Sequence, residues 1–158
     1  MVPNNIYEEK IFSSLNAVIF AVIVGLLLYA LIYQLLIEPL GTNTAPNEFF
    51  VFMVLLFSAI GINFSTLRIT IDYQDVTVGY GIIKKTIPRE KIEKCYLDQT
   101  RAILYGGWGI RIGRVKGKWR LIYNTVGDHR VVVVFRNGWY QEFVFSTRNP
   151  QEIIKLLN

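Results

Sequence analysis

A chain of 158 residues with 52% hydrophobic content and a formal net charge of +5 has room for one soluble domain plus a membrane anchor. Its single cysteine, Cys95, and single histidine, His129, exclude a disulfide within the chain and leave a Cys/His zinc site short of ligands. The basic balance favours anionic partners: an anionic membrane surface, an acidic protein or nucleic acid.

Residues 1–10 are short and polar. The acidic pair Glu8-Glu9 stands where a cleavable signal carries basic residues, so no such signal is expected, and Asn4 or Asn5 could cap a helix. An uncharged apolar run then extends from Ile11 to Ile37. It would reach about 40 Å as a helix, against roughly 30 Å of bilayer hydrocarbon. Ser13, Ala17, Ala21 and Gly25 recur at spacing four. That stacks small residues on one helix face, to receive the second apolar helix of the same chain or that of a second copy. Tyr29, Tyr33 and Gln34 suit the far interface, and no charge stands at mid-span.

Glu38 to Glu48, with Pro39, Gly41, Asn43, Pro46 and Asn47, predicts a turn. A second run, Phe49 to Leu67, gives about 28 Å of helix. Two spans are expected, at about 13–37 and 49–66, in a hairpin that with the N-terminal segment fills residues 1–66. Of the 17 Lys and Arg, only Lys10 precedes residue 64, and the loop has none. The excess of cations on the far side places both termini in the cytoplasm and makes this a multi-pass plasma-membrane protein.

Residues 67–158 are expected to form a cytoplasmic domain lying close to the membrane. Leu67, Ile69, Ile71 and Tyr73 alternate with Arg68, Thr70 and Asp72, a half-buried strand that Val76 and Val78 continue before a break at Gly79-Tyr80-Gly81. Further strands are read at 82–87, ending at Pro88, and at 92–97, 108–113, 119–124, 130–136 and 139–145. Asn137-Gly138 between the last two is a strong hairpin signal. About seven antiparallel strands with frequent turns predict a barrel or sandwich. Asn149, Pro150 and Glu152 fit the start of a C-terminal helix that would plug the barrel.

Gly107-Trp108-Gly109 has Ile112 where a dinucleotide fingerprint needs its third glycine, and Gly117-Lys118 runs into Trp119 rather than Ser or Thr. His129 has no nucleophile motif beside it. No catalytic, metal or cofactor-binding residue is assigned. One basic constellation stands out: Arg111, Arg114, Lys116, Lys118 and Arg120 around a turn at 113–117, with Trp108 and Trp119 nearby. On a hairpin tip these residues, with Trp119, could contact phosphate headgroups or an acidic protein segment, or simply be solvated. Nucleic acid is disfavoured for want of an exposed aromatic strand motif.

Ile87-Pro88-Arg89-Glu90-Lys91-Ile92, Tyr105-Gly106-Gly107-Trp108-Gly109-Ile110-Arg111, and Tyr123-Asn124 with Gly127 and Thr147-Arg148-Asn149-Pro150-Gln151-Glu152 resemble stretches of two-pass prokaryotic membrane proteins carrying a pleckstrin-homology-like domain. That resemblance covers roughly residues 67–157. It implies a β-barrel closed by one helix and a membrane address, and no catalytic residue. The expectation is a non-catalytic membrane-anchored module docking a protein or peptide at the inner face. Headgroup recognition by the basic hairpin, or membership of a membrane enzyme complex as a non-catalytic subunit, are the alternatives.

Overall fold

The computed structural model describes residues 5–39, 41, 45–100, 105–115, 117–136 and 140–158. It divides into a helical unit, Ser13–Ser65, and a β-rich unit that joins the N-terminal segment to Thr66–Asn158.

In the helical unit, α1 (Ser14–Leu36) and α2 (Asn47–Phe64) are long and apolar enough to cross a membrane. They are not core helices of a soluble fold, because Leu26, Tyr29, Leu36, Phe52, Leu55 and Ile62 all keep most of their surface exposed. A helix that is apolar all round and unburied carries a surface that water penalises and hydrocarbon does not. At one end the hairpin is held by Ser13 N–H donating to the Ser65 carbonyl at 2.7 Å and by the Asn16 amide donating to Phe64 O at 3.2 Å. At the other, Gln34 Nε2 donates to Ala45 O at 2.9 Å and to Asn47 Oδ1 at 2.7 Å. Gln34 is thus spent on closing the hairpin.

The β-rich unit begins earlier than the hydropathy pattern suggested. Asn5–Phe12 is a strand, β1, in which Tyr7, Glu9 and Ile11 are buried and their neighbours are exposed. Ile11 and Phe12 therefore belong to a strand and not to the first apolar helix, and Asn5 caps nothing. β1 pairs antiparallel with β2 (Thr66–Asp72), which pairs with β3 (Asp75–Tyr80), which pairs with β4 (Ile83–Pro88). The expected break at Gly79-Tyr80 is instead continuous strand. Gly79 lies opposite Lys84, and a Cβ there would fall 2.4 Å from Ile83 O and 2.5 Å from Lys84 Cα. The glycine permits close strand approach rather than ending the strand.

A 3-10 turn, Arg89–Lys91, carries the chain into a second sheet made of β5 (Ile92–Leu97), β6 (Gly109–Val115), β7 (Lys118–Asn124), β8 (His129–Phe135) and β9 (Glu142–Thr147), in the order β5-β8-β9-β7-β6. Two features depart from the expected antiparallel barrel. The sheets, of four and five strands, are not closed into one, since Pro88 and the 3-10 turn interrupt pairing between β4 and β5. In addition, β9 inserts between β8 and β7, so its pairing with β7 is parallel. Asn137-Gly138 lies outside the described residues, although the β8–β9 pairing it would serve is present.

Strand registers put Leu121, Tyr123, Val131, Val133, Phe143 and Phe145 on one face of the second sheet. Ile122, Val132, Val134 and Val144 lie on the other, clustered with Tyr105 and Val115. Tyr80 OH donates to Asn124 O at 2.8 Å, tying the two sheets. The final helix, α3 (Pro150–Leu157), buries Ile153 and Leu157 and packs on β5 and β8. Asn149 stands at its N-cap position without making a side-chain cap, and its amide donates to Tyr7 OH at 3.2 Å instead.

The close approach at Gly79 has a measurable cost. Gly79→Ala should lower stability by about 1–3 kcal/mol through overpacking against backbone. Gly113→Ala, where an added Cβ meets nothing within 4 Å, should stay within about 0.5 kcal/mol of the parent. Denaturant unfolding of both full-length variants in detergent, followed by circular dichroism, checks the contrast.

Candidate functional site: the β6–β7 hairpin and its ion cluster

β6 and β7 form an antiparallel hairpin whose last pair is Val115 with Lys118. The structure separates the cations that the sequence grouped at its tip. Lys118 and Arg120 point to the same face as Ile122, by strand alternation. Arg120 is only 4% exposed, so it is a buried residue and not a tip contact. Its Nε donates to Glu142 Oε2 at 2.6 Å and its Nη1 to Tyr105 OH at 2.5 Å. Lys116 lies outside the described residues.

Glu142 is the hub. It sits on β9 opposite Arg120 across the parallel pair, at 1% exposure. Besides Arg120 it accepts from Lys118 Nζ at 2.9 Å and from Tyr96 OH at 3.3 Å. A second buried carboxylate, Asp98, accepts from Arg130 Nε at 3.0 Å, Tyr105 OH at 2.9 Å and Thr100 N–H at 2.9 Å. Tyr105 links the two halves, donating to Asp98 while accepting from Arg120. Burial pushes both carboxyls up, but the opposing interactions win and both end below the ordinary carboxylate range. For Asp98 these are the hydrogen bonds from Thr100, Arg130 and Tyr105; for Glu142, the Lys118 bond and the Arg120 charge. The hydrogen bond to Glu142 in turn raises Lys118 above the usual lysine value. Tyr96 and Tyr105 are also raised, first by burial. A cavity of about 500 Å³ opens beside this cluster, lined by Tyr96, Gln99, Thr100, Lys118, Arg120 and Glu142 among others.

Arg111 and Arg114 remain at the surface. Arg111 Nε donates to Trp108 O at 3.4 Å and Arg114 Nε to Gly117 O at 3.1 Å. Neither has a carboxylate partner among the described residues. Trp108 and Trp119 are 42% and 45% exposed, and Trp119 lies opposite Arg114. Sequence reasoning missed Glu142, Asp98, Tyr105 and Arg130. The available signal was a glutamate in phase with Val144 along β9, a charge in a core position that demands a cation.

Among the small residues of α1, Ala17 and Ala21 line an apolar groove with Phe20, Val24, Phe57 and Gly61. Ser13 is buried and its hydroxyl has no partner among the described residues. A Cβ at Gly25 would meet nothing within 4 Å, whereas one on Gly61 would come within 2.8 Å of Phe20 Cβ. The close approach of the hairpin is therefore made by α2's glycine. Among the described residues no group of His, Cys, Asp and Glu could hold a metal ion. Burial pushes the Cys95 thiol up to about 12, the setting of a packed side chain rather than a nucleophile. Comparison of the chain with protein-family models, curated proteins and solved structures finds no match.

Glu142→Gln would leave Arg120 buried without a full counter-charge, and should cost about 3–5 kcal/mol in denaturant unfolding. The folded carboxyls titrate below their unfolded values, so their contribution is present above the ordinary carboxylate range. It is lost as pH falls through the folded values. The parent should lose stability from about pH 5 downward, and Asp98→Asn should show a shallower acid slope. Unfolding midpoints collected across pH in detergent decide this.

Proposed function

We propose that this protein is a membrane-anchored, non-catalytic interaction module that docks a protein or peptide at the inner face of the cell membrane. The observation that carries this reading is how the β-rich unit distributes its charge. The carboxylates of Glu142 and Asp98 and the side chain of Arg120 are buried, Arg130 is half-buried, and the four are paired with one another. On and beside the same hairpin the exposed side chains are mostly cationic and aromatic: Arg111, Arg114, Trp108 and Trp119, with Ile112 among them and Lys118 held by Glu142. Groups spent on each other are held for structure; exposed arginine and tryptophan are the residues that dominate recognition surfaces.

The exposed apolar surface of α1 and α2 supports an integral two-span anchor. The absence of Lys and Arg from the loop sequence between them supports cytoplasmic termini. Strands followed by one C-terminal helix fit the element order that the pleckstrin-homology-like resemblance implies, in an open two-sheet form. A second reading is recognition of anionic headgroups. It is favoured by the pairing of exposed Arg114 with exposed Trp119, which would offer phosphate a guanidinium and the headgroup layer an indole.

A photoreactive amino acid placed at Trp119, and as a control at exposed Tyr73 in the turn between β2 and β3, separates the readings in intact host membranes. Docking predicts a protein adduct of discrete mass from position 119 and none from position 73. Adducts to lipid alone would overturn docking in favour of headgroup recognition. Protease added outside intact cells should leave the C-terminal half undigested.

A further inference from the structure

A sheet edge offers unpaired backbone donors and acceptors, and proteins normally blunt such edges. The two sheets have four. The β5 edge is closed by the last residue: Asn158 Oδ1 accepts from Cys95 N–H at 2.8 Å and Asn158 Nδ2 donates to Cys95 O at 3.1 Å. The β4 edge carries adjacent Lys84 and Lys85 and stops at Pro88. The β1 edge carries Glu8 and Lys10, paired at 3.2 Å. Among the described residues the β6 edge has neither an amide closure nor a charge pair of its own. On β7, Trp119 O accepts from Gln141 N–H, so Trp119 turns its backbone away from β6. Its partner Arg114 then turns its own N–H and C=O outward, as do Ile112 and Ile110 at the same alternation. No backbone bond closes these groups among the described residues. Ile112 between them is 54% exposed.

Resting on the docking reading above, we propose that β6 is where the partner binds, and that the partner is an acidic segment in extended conformation, added as a sixth strand. The charge of the edge selects this occupant. Arg111 and Arg114 flank Ile112 without carboxylate partners, while Lys118 and Arg120 are already held by Glu142. A second copy of β6 would set one cationic edge against another, which cross-strand pairing penalises. Main-chain bonds to Ile110, Ile112 and Arg114 would supply affinity and cross-strand pairs the selectivity. Because Arg111 and Arg114 are three residues apart, they project to opposite faces. The matching segment carries two acidic residues three apart with an apolar residue between them, opposite Ile112.

Full-length protein in nanodiscs of neutral phosphatidylcholine is titrated with fluorescent eight-residue peptides and read by anisotropy. One peptide carries Glu residues three apart around a valine. A second has Lys in place of Glu, and a third keeps the acids but has proline in place of the valine. The first should bind, and the other two should bind at least about tenfold more weakly, the worth of roughly one backbone hydrogen bond in context. Ile112→Pro removes an outward N–H without touching the β7 ladder and should weaken the first peptide about tenfold, whereas Ile112→Val should not. Since the proline variant could perturb the strand, Arg111→Glu with Arg114→Glu provides a second test, and should reverse the preference between Glu and Lys peptides. Amide exchange at Ile110, Ile112 and Arg114 should slow on binding. Binding that ignores the proline in either chain would overturn the added strand. Dimerisation abolished by Ile112→Pro would overturn the acidic partner in favour of a second copy. If the photoadduct at position 119 forms while no peptide binds, docking stands and this edge is excluded; if neither is seen, both fail.

Discussion

A carboxylate in the middle of a buried strand constrains the whole second sheet. Glu142 lies where β9 is flanked on one side by antiparallel β8 and on the other by parallel β7. A charge removed from water there is tolerable only with cations beside it. Arg120 and Lys118 meet that need because they sit two residues apart on one face of β7. The pair does more for register than for net stability. Sliding β9 by one residue would turn Glu142 to the face shared by Leu121 and Phe143, where no cation waits. The same arrangement decides what the hairpin can offer a partner. Arg120 is committed inward and Lys118, half exposed, is held by Glu142, which leaves Arg111 and Arg114 as the surface cations without a carboxylate among the described residues.

Much of this fold was legible in alternation. Strands β2, β5, β7 and β8 fall within a residue or two of where period-two patterning puts them, and both apolar helices are where uncharged length puts them. What stayed hidden was non-local. β1 was masked because Ile11 and Phe12 run without interruption into the apolar stretch of α1, and hydropathy cannot tell the end of a strand from the start of a span. The phase of Tyr7, Glu9 and Ile11 was present, but its meaning depends on β2, more than fifty residues away in the chain. The insertion of β9 beside β7 has no local signature either, since a parallel pairing leaves nothing in the turn that precedes it. The candidate site failed in the same way. Arg120 reads like its basic neighbours until Glu142 is brought opposite it.

The helical unit gives a related lesson about small residues. A stripe of Ser13, Ala17, Ala21 and Gly25 reads as a close-packing face on α1 alone. Packing is decided by both partners, and it is Gly61 of α2 that accommodates Phe20, while Phe57 lies with its ring centre 6.5 Å from that of Phe20. A large ring on one helix over a glycine on the other brings axes together as well as two small residues would, and only the second helix reveals which solution is used.

The two ends of the chain show how the β-rich unit sets the boundary between structure and surface. The acidic pair near the N-terminus is split by strand alternation. Glu8 stays outside, near Lys10 and Arg68, whereas Glu9 turns inward and accepts from Tyr7 OH, Thr147 Oγ1 and Arg148 N–H. That one carboxylate fastens the first strand to the end of the last. At the C-terminus, Asn158 uses both ends of its amide on Cys95 and closes the β5 edge. Polar groups that would otherwise invite pairing are thus consumed at both termini. The middle of the chain is treated differently: among the described residues β6 keeps three residues' worth of outward backbone and two arginines with no carboxylate partner. Among the described residues the β5 edge is closed by an amide, the β1 edge is screened by a charge pair and the β4 edge by two lysines, so β6, with an exposed isoleucine between arginines that lack a carboxylate, is the edge that best suits an acidic strand.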